Sequence, residues 1–218
     1  MEQDKIEHRT KETSRIEAFS DGVFAIAITL LVLDIHVPSV KENESLLRML
    51  LADWTTYLAF LIGFFTILVC WINHHYMFEF INRSNGTLLI LNGFKLLVVS
   101  FTPFATALLS KYLQTTHQQL AVSIYALNFS LMGIAMCCIW YYAIRKGFTR
   151  SASPGVLKAS THLYIMAAVL PAIIFVLSFA KIWICLILSA IMFLFFLFPK
   201  SAVKRLQRMS ASPPDPLS

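Results

Sequence analysis

Long apolar blocks, separated by short polar segments, run through almost the whole chain. A helix that crosses the hydrocarbon core of a membrane needs about 20 mainly apolar residues, because each residue adds about 1.5 Å. Six blocks meet this requirement, at residues 16–35, 54–78, 87–110, 120–144, 157–180 and 182–198. The pattern therefore predicts an all-α integral membrane protein with six transmembrane helices. Only Lys181 separates the last two blocks, so five spans are the alternative.

Basic residues are distributed unevenly between the two sides of these spans. The N-terminus, the connections after the second and fourth spans and the C-terminal segment together carry 13 of the 18 Lys and Arg residues, whereas the opposite side carries 4. Loops that are rich in Lys and Arg stay on the cytoplasmic side of a membrane. Both termini are therefore expected to be cytoplasmic.

Composition strengthens this interpretation and excludes a water-soluble enzyme or nucleic-acid binder. Apolar residues make up 57% of the chain and charged residues 14%, whereas a soluble domain carries about 25% charged residues. The net charge of +6 is thus a topology signal and does not predict a nucleic-acid partner. Cys70, Cys137, Cys138 and Cys185 lie inside apolar blocks without the spacing of a metal site or disulfide, so they are interpreted as packing residues and no cofactor is expected.

Residues 1–209 are expected to form one six-helix domain, and residues 210–218, with three prolines, a disordered tail. The charged start and first apolar block also resemble a secretory signal peptide. However, residues 33–38 offer no small-residue cleavage site, which favours a retained first helix. The expected location is a cell membrane, as a multi-pass protein of the bacterial inner-membrane type.

Polar residues at the cytoplasmic ends of spans one and two predict a buried network. Such residues in a bilayer face protein or water. The start of span one and the end of span two lie at similar depth, because consecutive spans are antiparallel. The members of the predicted network are Arg15, Ser20, Asp21, Trp71, Asn73, His74 and His75. The alternative is an aromatic anchor at Trp71 beside ordinary interfacial histidines.

An apolar stripe follows in span one. Ile26, Leu30 and Leu33 stand at i, i+4 and i+7 and so share one helix face. Thr29 borders this face, and small residues at positions 25 and 27 permit close approach of another helix. From spacing alone the favoured interpretation is a packing stripe, with the Thr29 hydroxyl bonded back to the carbonyl of residue 25.

A lysine near the middle of span three, Lys95, is a functional candidate because a charge at that depth is unfavourable in lipid. Three arrangements stay open for it. The side chain either snorkels to the interface or pairs with Asp21 or Glu79.

Two segments resemble a known family. The run from Arg15 to Asp34, which begins Arg-x-x-x-Phe-Ser-Asp-Gly-Val-Phe-Ala-Ile, resembles the first-helix signature of the transmembrane protein 175 potassium channels. It is most similar to the prokaryotic members, which have one six-helix unit per chain. The segment Trp-x-Asn-His-His at residues 71–75 resembles the second-helix motif of the same family.

This resemblance implies a homotetramer in which the first helices line a path for K⁺ and other monovalent cations. Its narrowest part falls on Ile26, Leu30 and Leu33, and a hydroxyl layer linked to selectivity falls on Thr29. The signature residue Phe19 joins the polar set above as part of the structural network. Asp34 and His36, just beyond the constriction, are expected at the pore mouth, where acidic rings concentrate cations.

The expected function is passive K⁺ flux of modest selectivity, because the chain contains no Thr-Val-Gly-Tyr-Gly filter and offers an apolar neck instead. The main alternative is a proton-coupled secondary transporter, which central ionisable residues and internal repeats would favour. The sequence gives less support to a membrane enzyme, since His74, His75 and Glu79 match no known metal pattern and no nucleophile–base pair is evident. The expected partners are further copies of the chain, monovalent cations and the lipid bilayer.

Overall fold

The computed structural model describes residues 2–39, 45–149 and 153–210, with side chains from residue 13 to residue 207 within these ranges. Its helices are α1 (Glu2–Leu30), α2 (Leu46–Ala52), α3 (Trp54–Phe78), α4 (Gly86–Tyr112), α5 (Gln118–Arg145), α6 (Pro154–Ser178), α7 (Ile182–Phe196) and α8 (Pro199–Ser210). A short 3-10 helix, Leu31–Asp34, continues α1. The fold is all-helical, as predicted, and residues 211–218 of the expected tail lie outside the described residues.

Five stretches of helix are long and apolar enough to cross a membrane. They are Thr13–Asp34, Trp54–Phe78, Gly86–Tyr112, Gln118–Arg145 and Pro154–Ser178. The predicted sixth span, residues 182–198, contains only α7, which has 15 residues and is short for a span by itself; α8 follows it at an angle of 84°. Pro199, which starts α8, has no amide hydrogen with which to continue the helix. The described chain thus has five candidate spans, or six if α7 and α8 count as one broken span.

Close packing of α5 against α6 depends on a glycine. A Cβ built at Gly133 would lie 1.8 Å from the carbonyl oxygen of Ala167, which is inside any permitted contact distance. Small residues at helix crossings let the backbones of membrane helices approach each other in this way. Hydrogen bonds between side chains add to the packing, as Asn128 donates to Thr102 at 2.9 Å and Ser123 lies 2.8 Å from Ser178.

The helix α1 packs against the bundle through one side only. Its residues Phe24 and Ala27, with Leu31 of the 3-10 helix that follows, belong to a core cluster that includes Ile67 of α3 and Val99 of α4. The opposite side of α1 has no neighbour among the described residues of the chain.

All four cysteines are free. Cys70 and Cys185 are buried and Cys137 is half-buried, in agreement with packing roles. Cys138 is exposed on the outside of α5, so the packing interpretation is wrong for this residue in the described bundle.

Candidate functional site

Two stripes on different faces of α1 and its 3-10 extension define the candidate site. Both follow the 3.6-residue period of a helix. The inner stripe is buried and consists of Ile16, Ser20, Phe24, Ala27 and Leu31. The outer stripe is exposed and consists of Phe19, Ile26, Leu30 and Leu33. The bundle of the single chain packs against the inner stripe and leaves the apolar outer stripe exposed.

The three residues predicted at the constriction lie together on the outer stripe. Ile26 is 62% exposed, Leu30 43% and Leu33 67%, and the bundle core includes none of them. They are therefore available to a surface outside the single chain. Phe19, predicted with the structural network, shares this exposed face, because it precedes Ile26 by two helical turns.

Thr29 is exposed beside the outer stripe. Its Oγ1 lies 2.9 Å from the carbonyl oxygen of Ala25 and 2.9 Å from that of Ile26. The hydroxyl hydrogen is therefore used within the helix, as the packing interpretation expects. The lone pairs of Oγ1 stay free to accept a hydrogen bond from water or to contact a cation.

Asp34 and His36 follow the outer stripe at the end of the 3-10 helix. Asp34 is partly exposed and His36 is exposed. His36 Nδ1 lies 2.9 Å from the carbonyl oxygen of Asp34, which holds the imidazole near the carboxylate. An acid and an imidazole thus lie at the same end of the apolar stripe.

The structure divides the predicted polar network into separate parts. One part is exposed at the opposite end of α1, where Trp71 Nε1 donates to Asp21 Oδ1 at 2.8 Å and His75 stacks on the Trp71 ring. Arg15 is also exposed here and lines a cavity of about 620 Å³ between α1 and the start of α4. No hydrogen bond or ion pair among the described residues joins Arg15 to Asp21.

A second part of the predicted network is buried between α1, α3 and α4. Ser20 donates to the carbonyl of its own helix, and Asn92 Nδ2 donates to Ser20 Oγ at 3.0 Å. Lys95 Nζ lies 2.6 Å from His74 Nδ1. Lys95 therefore adopts none of the three arrangements expected for it. It is fully buried and so does not snorkel, Asp21 accepts a hydrogen bond from Trp71, and Glu79 pairs with Lys200 at 2.8 Å. Sequence reasoning missed Asn92, for which a polar residue inside an apolar span was the only signal.

Asn73 belongs to neither part. Its side chain donates to the carbonyl of Val69 at 2.8 Å and to the carbonyl of Phe196 at 2.8 Å. The second bond satisfies a carbonyl at the end of α7, where the helical pattern is interrupted before Pro199. Asn73 thus faces α7 and not α1. His74, the next residue, projects about 100° away around α3 and contacts α4.

A metal site is not apparent at these positions. No group of three or more His, Cys, Asp or Glu residues suited to a metal ion occurs in the part of the chain that the structure describes. The outer face of α1 offers an apolar surface, the hydroxyl of Thr29 and, at the end of the stripe, the carboxylate of Asp34. Such a surface suits the passage of a partly hydrated ion better than a chemical reaction.

Comparisons with known proteins identify relatives that are channels. The family described as "Endosomal/lysosomal potassium channel TMEM175" matches residues 15–103. A potassium channel of Chamaesiphon minutus is 42% identical over 186 residues, which cover 82% of this chain and 92% of that protein. The chain is also 33% identical over 139 residues to the endosomal/lysosomal proton channel TMEM175 of Gallus gallus, of which it covers 28%.

A solved structure shows the same arrangement of helices. It is the crystal structure of a lysosomal potassium-selective channel TMEM175 homologue from Chamaesiphon minutus. The TM-score is 0.76 at 40% sequence identity, and the match covers 85% of this chain and 96% of that one.

Proposed function

This chain belongs to the TMEM175 family of multi-pass membrane channels, and we propose that four copies of it surround a pore for K⁺ and other monovalent cations. In this arrangement the outer stripe of α1 faces the axis, with Ile26, Leu30 and Leu33 at the narrowest part. The observation that carries the proposal is the exposure of these three side chains on a helix whose inner stripe is buried in the bundle. A closed ring of copies covers such a face and leaves a path along its axis.

A neck of isoleucine and leucine side chains acts as a gate. Apolar constrictions hold water weakly, and a cation inside one loses hydration that nothing replaces. Widening the neck admits water and lets a cation pass with part of its shell. K⁺ gives up water more easily than Na⁺, so this mechanism gives modest selectivity without a carbonyl filter.

The hydroxyl of Thr29 is proposed to add to selectivity. We expect Thr29→Val, which keeps the shape and removes the oxygen, to lower the K⁺/Na⁺ permeability ratio by roughly 2- to 10-fold, the range that one lost polar contact gives. Reversal potentials under bi-ionic conditions measure this ratio. The matched control is Thr106→Val, at a buried position on α4. An unchanged permeability ratio in Thr29→Val would mean that the Thr29 hydroxyl does not contribute to selectivity.

The carboxylate of Asp34 is proposed to concentrate cations at the mouth. We expect Asp34→Asn to lower K⁺ conductance by roughly threefold at low ionic strength, because a negative ring raises the local cation concentration. The difference from the wild type should vanish at about 1 M KCl, where screening acts within about 3 Å. Asp53→Asn, at the start of α3, is the control. A reduction that persists unchanged at high salt contradicts this role.

The experiment that tests the function is a flux assay on purified protein in liposomes. Vesicles loaded with K⁺ are expected to lose it down its gradient once the electrical charge is balanced, with less flux for Na⁺, and Cs⁺ serves as a third permeant ion. A proton-coupled transporter, the alternative, would instead need a proton gradient and move protons in fixed ratio to K⁺. Flux that stops when the proton gradient is abolished would therefore overturn the channel proposal.

A further inference from the structure

A buried cluster of two basic residues and one phenylalanine lies between α1, α3 and α4. It consists of Lys95 on α4, His74 on α3 and Phe24 on α1, which are 0%, 1% and 2% exposed. The proposed permeation path uses none of the three. A lysine that is fully buried in the middle of a membrane helix is unfavourable unless specific contacts hold it.

The amino group of Lys95 lies against one residue of α3 and one residue of α1. Lys95 Nζ lies 2.6 Å from His74 Nδ1 and 5.1 Å from the centroid of the Phe24 ring. The rings of Phe24 and His74 are themselves 5.6 Å apart. An ammonium group donates to an unprotonated imidazole nitrogen and is attracted to the face of a benzene ring. The Lys95 amino group and the His74 ring are thus adjacent to each other, and both lie against the same side of Phe24.

The other polar groups near this cluster do not replace these contacts. His74 Nε2 has no hydrogen-bond partner among the described residues, so Lys95 supplies the only hydrogen bond of the imidazole side chain there. Asp21, one turn before Phe24 on α1, supplies an opposite charge that acts on Lys95, but its carboxylate accepts from Trp71. The thiol of Cys70 and the imidazole of His75 are the remaining titratable groups that act on the pair.

We infer that Lys95 is a positioning residue that holds Phe24 and thereby fixes the rotation of α1 about its own axis. The inference rests on the proposed function. Phe24 and Ile26 are two residues apart, so their side chains project about 200° apart around the helix. A helix that keeps Phe24 against Lys95 and His74 therefore keeps Ile26 on the outer face, where the proposed neck lies.

The direction of the effect follows from the residues beside Ile26. Rotation of α1 by one position, about 100° in either sense, replaces Ile26 on the axis by Ala25 or Ala27. Either alanine widens the neck. Loss of the contacts that hold Phe24 should therefore raise the flux of cations and should not close the pore.

The test combines three variants with one control. Lys95→Met keeps the length of the side chain and removes the ammonium, whereas Phe24→Leu keeps an apolar side chain and removes the ring. We expect each to raise K⁺ flux per channel in liposomes by about tenfold, equivalent to ~1.4 kcal/mol. Lys111→Met, the same change at an exposed position of α4, is expected to leave the flux unchanged.

The double variant distinguishes positioning from general loosening of the fold. If Lys95 acts through Phe24, Lys95→Met with Phe24→Leu should have the flux of either single variant, because the shared contact is lost once. Effects that multiply would overturn the inference, as would unchanged flux in Lys95→Met at normal amounts of folded protein.

A cysteine readout separates this inference from the proposed pore. In the otherwise unaltered chain, a water-soluble thiol reagent should inhibit the flux of Ile26→Cys and leave Ala27→Cys unaffected, since residue 27 is buried. With Lys95→Met added, rotation of α1 in either sense takes residue 26 off the axis, so Ile26→Cys should become less sensitive. Insensitivity of Ile26→Cys in the otherwise unaltered chain contradicts the pore itself, whereas equal sensitivity of Ile26→Cys with and without Lys95→Met contradicts only the role of Lys95.

Discussion

Replacement of Ile26 by asparagine is expected to raise K⁺ flux through the protein by at least about tenfold, which corresponds to lowering the barrier by ~1.4 kcal/mol. Asparagine is smaller than isoleucine, and its amide binds water. Four such amides at one level of the neck would keep it wet and would replace part of the hydration that a cation loses there. Vesicles that contain known amounts of folded protein give the flux per channel.

The control for this variant is the same substitution where no pore is proposed. Ile90 on α4 is 74% exposed and lies on a helix that is separate from the outer stripe. Ile90→Asn should conduct like the wild type. Equal increases in both variants would indicate a general leak, and an unchanged Ile26→Asn would mean that this side chain is not part of the gate.

The largest effect on folding is expected at Gly133, with Ala167 opposite. Gly133→Ala places a methyl group where the α6 backbone now lies, so α5 and α6 must separate. Overpacking of this kind destabilises by about 1–3 kcal/mol, and rigid backbone on the opposing side puts this variant at the upper end or above. A lower midpoint of thermal unfolding in detergent measures the change.

The matched control for Gly133→Ala is Gly155→Ala on α6. There a Cβ meets its nearest neighbour, Gln207 Nε2, at an ordinary 3.6 Å. Its unfolding midpoint should stay close to that of the wild type. If Gly133→Ala unfolds at the same temperature as Gly155→Ala, the close approach of α5 and α6 is not a feature of the folded protein.

Helix positions could be predicted from the sequence because length and apolarity alone determine where a membrane span fits. The block predicted at 54–78 is α3 to the residue. The end of α7 could not be predicted in this way, because the apolar run continues to Phe198 whereas the helix ends two residues earlier. Hydropathy registers the apolar side chains and not the missing amide hydrogen of Pro199.

The shared face of Ile26, Leu30 and Leu33 could also be predicted, since it depends only on helical periodicity. Which neighbours the polar residues meet depends on the rotation of one helix against another. Long apolar helices give no clue to that rotation, because all their sides are apolar. For this reason the sequence grouped Asn73 with Asp21, whereas Asn73 contacts the end of α7.

The same limit applies to Lys95. Its mid-span position marks it as exceptional, but its partner is a ring nitrogen of His74 instead of a carboxylate. Charge pairing was the obvious expectation from sequence, and the buried cluster satisfies the ammonium with an imidazole and a benzene ring. Asn92, one turn before Lys95 on the same helix, adds a second contact with α1 through Ser20.

The central claim is that the outer stripe of α1 faces its own copies across an axis and not lipid. Cross-linking of Leu33→Cys measures this directly, in a chain where Cys137 and Cys138 are changed to serine, with Leu97→Cys on the exposed side of α4 as the comparison. Since a disulfide forms only when two Cβ atoms come within about 3.5–4.5 Å, oxidation should link copies that carry Leu33→Cys and reduce K⁺ flux until a reductant is added. Disulfides between copies at Leu97→Cys and none at Leu33→Cys would contradict the account.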